Sequence, residues 1–325
     1  MMKLSIALAT CNGQRFLREQ LASYLAQTRR PDELVVCDDR SDDRTPGILA
    51  EFRTSAPFPV RIQENERRLG IIKNFEQVVG LCDGDVIFLS DQDDVWSPEK
   101  LAWHEAVYAA DPGIGLVFSN GEVCDEALHP LGYTLFQSFV AKVGLPRAMN
   151  AGSALELLVK RPRVTGCTAS FRADCRDVLI PFSERWLHDE WIALVMSALA
   201  GVRALPEPLI RYRRHQTQAV GASRPGEAAK HGRPAGLPER LTFIDQQFEK
   251  LTEALDRLSQ FEPRLLRRDY HRVIQSKLDH LRRRRSLPSL KLARLPMIFL
   301  EVVSGNYHRY SQYAKLELMA DLRER

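Results

Sequence analysis

The sequence predicts an α/β protein: a mostly parallel, mixed sheet flanked by helices, with a helical C-terminal appendage. Three observations predict it. Short apolar runs recur through the first 90 residues, and one of them, Val86 to Leu89, has no polar alternation, as in a strand buried on both faces. Segments with apolar residues at helical spacing separate these runs. Beyond residue 237 only the helical spacing remains.

Leu4 to Ala9 is the first strand, and from Gln14 a helix presents Leu17, Leu21, Tyr24 and Leu25 at helical spacing. Leu34 to Cys37 forms the second strand, ending at Asp38 and Asp39. A helix through Ile48, Leu49 and Phe52 leads to a short third strand, Val60 to Ile62. After Gly70, Ile71, Phe75, Val78 and Val79 share a helical face. Val86 to Leu89 is the fourth strand and stops at Ser90. This alternation implies right-handed crossovers. The ends of strands one, two and four then face one crevice, where ligands bind in open α/β sheets.

The later chain is more mixed. Leu116 to Ser119 reads as a strand, Gly121 to Gly132 as a hairpin or turn, Ala151 to Lys160 as a helix and RVTGCTASF as another strand. From Trp191 a helix buries Ile192, Val195, Met196 and Leu199, with Gly201 as its C′ residue. PLIRYRRHQTQAVGA is a strand delivering Arg213, Arg214 and His215 to a loop. The domain expectation is 1–221, a Gly/Pro/Ala-rich linker at 222–236 and helices over 237–325. One of those helices carries Leu241, Ile244, Phe248, Leu251 and Leu255; the next carries Tyr270, Ile274, Leu278 and Leu281.

Composition narrows the function classes. A net charge of +4 over 325 residues argues against a dedicated nucleic-acid binder. Six cysteines without C-x-x-C pairing suggest reduced thiols in a cytoplasmic protein and make zinc unlikely. MMKLSIALAT reads as a strand and not as an export signal. The apolar segment Leu295 to Val303 contains Pro296 and Glu301 and is too short to span a bilayer.

Three carboxylates in four residues, Asp91, Asp93 and Asp94, follow the fourth strand. They repel one another in a dry site unless a cation or hydrogen-bond donors compensate them, and hard oxygen ligands favour Mg²⁺ or Mn²⁺. The competing reading is an acidic turn before a helix started by Ser97 and Pro98. Thr10, Asn12, Asp38 and Asp39 lie at the other strand ends and suit a ribose and a base edge. There is neither G-x-G-x-x-G nor G-x-x-x-x-G-K-[ST], so metal, helped by Arg68 or Lys73, would neutralise a nucleotide's phosphates. His188, Asp189, Glu190 and Trp191 cluster at a helix N-terminus, where acids either cap or act chemically. Trp191 is either an acceptor platform or a core residue, and Gly166 either a bulge or a point of close approach.

The ordered combination of SIALATCNGQRFLREQLASYLAQTRRPDELVVCDDRSDDRT and FLSDQDDVW resembles the family 2 glycosyltransferases, in particular their rhamnosyltransferase-like members, over roughly Leu4 to Gly221. The resemblance implies a GT-A (Rossmann-like) fold and transfer of a sugar, from a donor of the dTDP-rhamnose or UDP-sugar class, to a glycan or lipid-linked acceptor. That transfer would be inverting and metal-dependent, in cell-surface polysaccharide synthesis. By resemblance Thr10, Asn12 and Asp39 contact the nucleotide, Asp91 lies near ribose or phosphates, and Asp93 holds Mg²⁺ or Mn²⁺. Asp189 is the catalytic base, with Glu190 the fallback. Gly166 flanks donor sugar and acceptor, and His215 is a metal ligand or phosphate donor. Cys11 stands where many relatives have a base-stacking tyrosine. The alternatives are a nucleotidyltransferase using the same acids, or a non-catalytic nucleotide-sugar-binding protein. The basic run Arg282 to Arg285 is either a solvated helix face or a peripheral contact with anionic lipid on the inner membrane face.

Overall fold

The computed structural model describes residues 2–138, 144–216, 218, 239–261, 266–267 and 269–323; the linker expected at 222–236 lies outside them. The chain forms two compact units, Met1–Gly152 with Val164–Pro225, and Ser153–Arg163 with Gly226–Arg325.

In the first unit the alternation is β1 (Leu4–Thr10), α1 (Leu17–Leu25), β2 (Glu33–Asp38), α2 (Thr45–Ser55), β3 (Val60–Glu64), α3 (Ile71–Leu81) and β4 (Val86–Ser90). There follow β5 (Val95–Trp96), α4 (Lys100–Ala110), β6 (Ile114–Cys124), β7 (Pro130–Thr134), α5 (Leu135–Ser138), α6 (Leu145–Ala148), then β8 (Ala169–Arg172), α8 (Arg176–Leu179), α9 (His188–Leu199) and β9 (Gly201–Arg213). The helix between α6 and β8, α7 (Ala154–Lys160), groups with the second unit, although the sequence reading put it in the first domain.

Among the described residues nine strands form one sheet in the order β3-β2-β1-β4-β8-β6-β9-β5, with β7 on β6. This is the GT-A arrangement: a parallel β3-β2-β1-β4 half continued by antiparallel β8. Every residue of β2 and β4 is buried, which explains their lack of polar alternation.

Register positions the site. Thr10 pairs with Asp38, and Leu8 with Ser90, so β1, β2 and β4 end nearly level. β8 runs against β4, with Phe88 opposite Ser170, so the segment entering β8 arrives at the same edge. β5 pairs antiparallel with the end of β9, Val95 opposite Arg211, which brings the residues after Arg213 back to the acidic stretch.

Several local expectations are corrected. Leu25 and Ile71 are half exposed and lie off their helices' buried faces. RVTGCTASF is strand only from Ala169; Gly166–Thr168 is a 3-10 turn. Gly201 is not a left-handed C′ residue. It starts β9, where a Cβ would lie 2.8 Å from Ile114 Cδ1. The helix after the acidic stretch starts at Lys100, its N-cap being Glu99 and not Ser97.

The second unit joins α7 to α10 (Arg240–Ser259), α11 (Tyr270–Arg285), α12 (Lys291–Val303), α13 (Asn306–Tyr310) and α14 (Ala314–Arg323). Ile244, Leu251, Leu258, Ile274, Leu278 and Leu281 form its apolar core, whereas Leu241 is 42% exposed. Beside it lies a buried ionic network. Arg284 pairs with Glu317 and Asp321, Arg240 with Asp321, and His280 Nδ1 lies 2.5 Å from Glu301. The basic run is thus spoken for: Arg282 pairs with Asp279, Arg283 with Glu301 and Arg285 with Asp245.

Candidate active site

The level strand ends open into a cleft of about 550 Å³ whose lining includes Thr10, Asn12, Asp39, Asp91, Asp93 and His215, and also Gly166, His188 and Asp189. The sequence reading placed these residues on six separated stretches. Topology brings them together.

The first loop is held by paired polar groups. Asn12 adopts a left-handed conformation, φ 51°, which asparagine tolerates better than most residues. Its backbone N–H donates to Ser41 Oγ (2.8 Å), and its side-chain oxygen accepts from the Asp42 N–H (2.9 Å). Thr10 Oγ1 donates to Asp38 (2.7 Å). Gln92 clamps Cys11 both ways, accepting from its N–H at 2.8 Å and donating to its carbonyl at 3.0 Å. Nothing in periodicity singled out Gln92; the only signal was its position between the acids.

Asp39 lines the cleft, yet its carboxylate is already engaged. It accepts from the Leu69 and Gly70 N–H groups (2.6 and 2.9 Å) and from Asn65 Nδ2 (3.0 Å), so it caps the entrance to α3. Lys73 points away from the cleft, to Glu76 (2.8 Å) and the Phe182 carbonyl (3.4 Å). Arg68 lies on the surface near Asp42. Lys73 is absent from the cleft lining, whereas the Arg68 charge reaches Cys11 at the cleft wall.

In the acidic stretch Asp91 and Asp93 face the cleft, and Asp94 turns inward to accept from the Arg213 N–H at 3.0 Å. Burial, then the charges of Asp93, Asp94 and Asp189, raise Asp91 well above the usual carboxylate range. Burial and Asp93 push Asp94 up to about 7. Lys100 is fully buried beneath, over the Trp96 ring at 4.2 Å, and burial lowers it to about 8. Donor atoms of Asp91, Asp94 and Cys167 lie within 4.8 Å of one another. Burial keeps the Cys167 thiol protonated, and thiolate is the ligating form. His215 Nε2 lies 2.7 Å from Asp93 Oδ2, and its ring packs 4.9 Å from Phe16. Clustered carboxylates short of positive charge, with one imidazole, fit a hard divalent cation.

Asp189, which also lines the cleft, lies in the first turn of α9. Its Oδ2 accepts from the Gly166 N–H (3.0 Å) and its Oδ1 from the Glu190 N–H (2.8 Å). Burial raises its pKa above the ordinary value, against those hydrogen bonds. Gly166 is a point of close approach: a Cβ there would lie 2.7 Å from His188 Nε2 and 3.3 Å from Asp189 Cβ. His188 stacks on Phe75 at 3.7 Å, and neither ring nitrogen has a hydrogen-bond partner among the described residues. Burial lowers it to about 3, so it is neutral near pH 7. The sequence reading passed over its chemistry because a histidine beside two acids reads as part of a helix cap.

Trp191 is 1% exposed, donates from Nε1 to the Leu179 carbonyl at 2.9 Å, and lies in the core beside Trp186. The acceptor-platform reading is corrected accordingly. Glu190 is half-buried and does not line the cleft.

Residues 5–127 match the model of glycosyl transferase family 2. The dTDP-rhamnosyl transferase RfbG of Shigella flexneri is 36% identical over 98 residues, 29% of this chain and 34% of its own. The UDP-Glc:alpha-D-GlcNAc-diphosphoundecaprenol beta-1,3-glucosyltransferase WfgD of Escherichia coli is 26% identical over 196 residues, 60% of this chain and 69% of its own. Among solved structures, Staphylococcus aureus TarS 1-349 with UDP-GlcNAc superposes with a TM-score of 0.59 at 14% identity, covering 99% of this chain and 90% of that one. The mannosyltransferase PcManGT of Pyrobaculum calidifontis, with GDP-Man and Mn²⁺, gives 0.52 at 16% identity, covering 98% and 86%.

Proposed function

Taking as premise that this chain is a family 2 glycosyltransferase of GT-A fold, we propose that it transfers a sugar, with inversion, from a nucleoside diphosphate donor to a hydroxyl of a glycan or lipid-linked acceptor. The donor is of the dTDP-rhamnose or UDP-sugar class, which the likeness to RfbG and WfgD supports. A cytoplasmic reaction in cell-surface polysaccharide synthesis follows from that donor and acceptor.

One observation carries the reading: a single cleft is lined by Asp91, Asp93 and His215 and also by Asp189, backed by Gly166. Thr10, Asn12 and Asp39 form the nucleotide end. Asp93, with Asp91 and His215, would hold Mg²⁺ or Mn²⁺. When bound, such an ion offsets the charge of the diphosphate. Asp189 takes the proton of the acceptor hydroxyl as its oxygen bonds to the anomeric carbon, and the bond to the diphosphate breaks with its electron pair going to the departing oxygen. With Asp91 and Asp93 given to the metal and Asp189 acting as base, the transfer is a single displacement, which inverts the anomeric centre.

The test is calorimetric titration of UDP and dTDP with Mn²⁺, Mg²⁺ or EDTA, beside hydrolysis of a panel of UDP-, dTDP- and GDP-sugars. Binding should need the divalent ion and be largely lost in Asp93→Asn. Equal affinity with and without EDTA in both proteins would overturn the metal assignment, and no hydrolysis of any nucleotide sugar would overturn the donor class.

A further inference from the structure

Helix α12 is inside out. At helical spacing its protein-facing side carries Arg294, Ile298 and Glu301, all buried. Arg294 Nη1 donates to the Asp321 carbonyl at 3.0 Å, and Glu301 accepts from His280 and Arg283. The side turned to solvent carries Leu292, Leu295, Phe299, Leu300, Val302 and Val303, with exposures from 44% to 75%. These six span less than half the helix circumference, and the buried charges lie opposite them. A water-facing helix shows the reverse pattern, and an exposed apolar stripe of this length marks an interaction surface.

We propose that this face of α12 lies in the interfacial layer of a membrane bearing anionic headgroups. At 13 residues the helix is about 20 Å long, too short to cross a bilayer. No described helix is long and apolar enough to do so. An apolar stripe of this size suits a helix lying in the plane of the membrane.

Charge identifies the occupant. Residues 282–325 hold ten Lys or Arg against four Asp or Glu, a net +6; with Arg282 and Arg285 offset by Asp279 and Asp245 outside that range, +4 remains, as much as the whole chain carries. Lys291 opens the helix and Arg309 follows it, both exposed. Pairing with a second copy through the same face would set this excess against itself, whereas anionic headgroups complement it. The surface differs from the one the basic run suggested: Arg282 to Arg285 are engaged with acids, and the apolar side chains of the following helix provide the contact. The inference does not depend on glycosyl transfer.

The test is co-sedimentation of the full chain with phosphatidylcholine vesicles, with or without about one-third phosphatidylglycerol. Binding should favour the anionic vesicles and weaken as salt rises. Leu292→Asp combined with Phe299→Asp should lower the bound fraction about tenfold or more. The thermal midpoint should stay near wild type because both side chains are exposed. Phe299→Trp, which leaves the surface apolar, should show a blue-shifted emission on adding the anionic vesicles. Failure of wild type to bind either vesicle, equal binding by the double variant, or an unshifted tryptophan would overturn the proposal. A dimer in the ultracentrifuge that the double variant dissociates, without vesicle binding by wild type, would assign the face to a second copy.

Discussion

Asp189 and Glu190 are adjacent in sequence, but their surroundings separate them. Asp189 is fixed by two backbone N–H groups, lines the cleft, and is raised by burial. A raised carboxylate is a stronger base, and a fixed one needs no reorientation to take a proton. Asp189→Asn keeps the size and the acceptor for the Gly166 N–H but removes the basic oxygen. Turnover should fall by about 10²- to 10⁴-fold, with nucleoside diphosphate affinity and thermal midpoint near wild type. Glu190→Gln should retain most activity. In wild type the acid limb of kcat/KM should lie above the ordinary aspartate value, because burial disfavours the charged form. The reverse mutant pattern would move the base to Glu190; full activity in both would make this turn a helix cap only. At this scale the motif made Asp189 legible, whereas the fates of Lys73, Asp39 and Trp191 were not. Spacing shows which helical face is apolar, not which partner a polar residue at its margin will find. Lys73 found Glu76 one turn along its own helix, and α9 is buried almost all round, so no polar face distinguished Trp191 from the core.

Between residue and fold, the turn Gly166–Thr168 shows how an element can matter by not being what its composition suggests. The apolar and β-branched residues of RVTGCTASF favour a strand, but the segment must pass under the first turn of α9. It takes a 3-10 turn there, with its Gly166 N–H aimed at Asp189. Glycine is required by space and not by φ: an added Cβ would meet the His188 ring at 2.7 Å, and that ring is already stacked on Phe75. Gly166→Ala should therefore displace His188 and Asp189 together. A shift near 1 Å can cost on the order of 10²-fold in rate, so turnover should drop on that scale while nucleoside diphosphate binding, which rests on the other strand ends, persists. Wild-type turnover in Gly166→Ala would show that the turn gives way freely and does not position the base. The β1-to-β4 alternation was legible because each strand and helix carries its own period. The crossing of this turn under α9 was not, since it depends on residues 23 positions apart with no local pattern between them.

Across the first unit, the acids of the cleft and the buried histidines His104 and His188 titrate in opposite senses, which makes stability a measure of the site's charge. Asp94 is pushed up to about 7 and Asp91 is raised well above the carboxylate range. The folded state therefore binds protons that the unfolded chain has released. This contribution is fully present below the unfolded aspartate pKa and is lost as pH rises through the folded values. His104 is lowered well below its ordinary value and His188 to about 3, both by burial. The unfolded chain takes up protons at these residues below about pH 6.5 while the folded one does not, so their contribution is lost as pH falls through that value. Between about pH 5 and 6.5 the histidines oppose the aspartates, Asp189 among them; above that the aspartates lead, and Lys100, lowered to about 8, opposes them only towards the top of the range. Without divalent ions, the thermal midpoint of the first unit should change less over the lower range than above it, and fall as pH rises from about 6.5 to 7.5. The sequence showed three acids within four residues and could give them a cation, but not the buried lysine, thiol and histidines that decide how much the charge costs, because burial is a property of the assembled sheet. A divalent ion favours the ionised carboxylates, so Mn²⁺ should raise the midpoint more at pH 8 than at pH 6 and flatten the alkaline limb, as followed by calorimetry at each pH with EDTA or Mn²⁺. A metal-free midpoint that climbs steadily from pH 6 to 8, or an Mn²⁺ shift larger at pH 6, would mean that these carboxylates stay ionised in the folded protein. The cleft would then have no charge deficit for a cation to relieve.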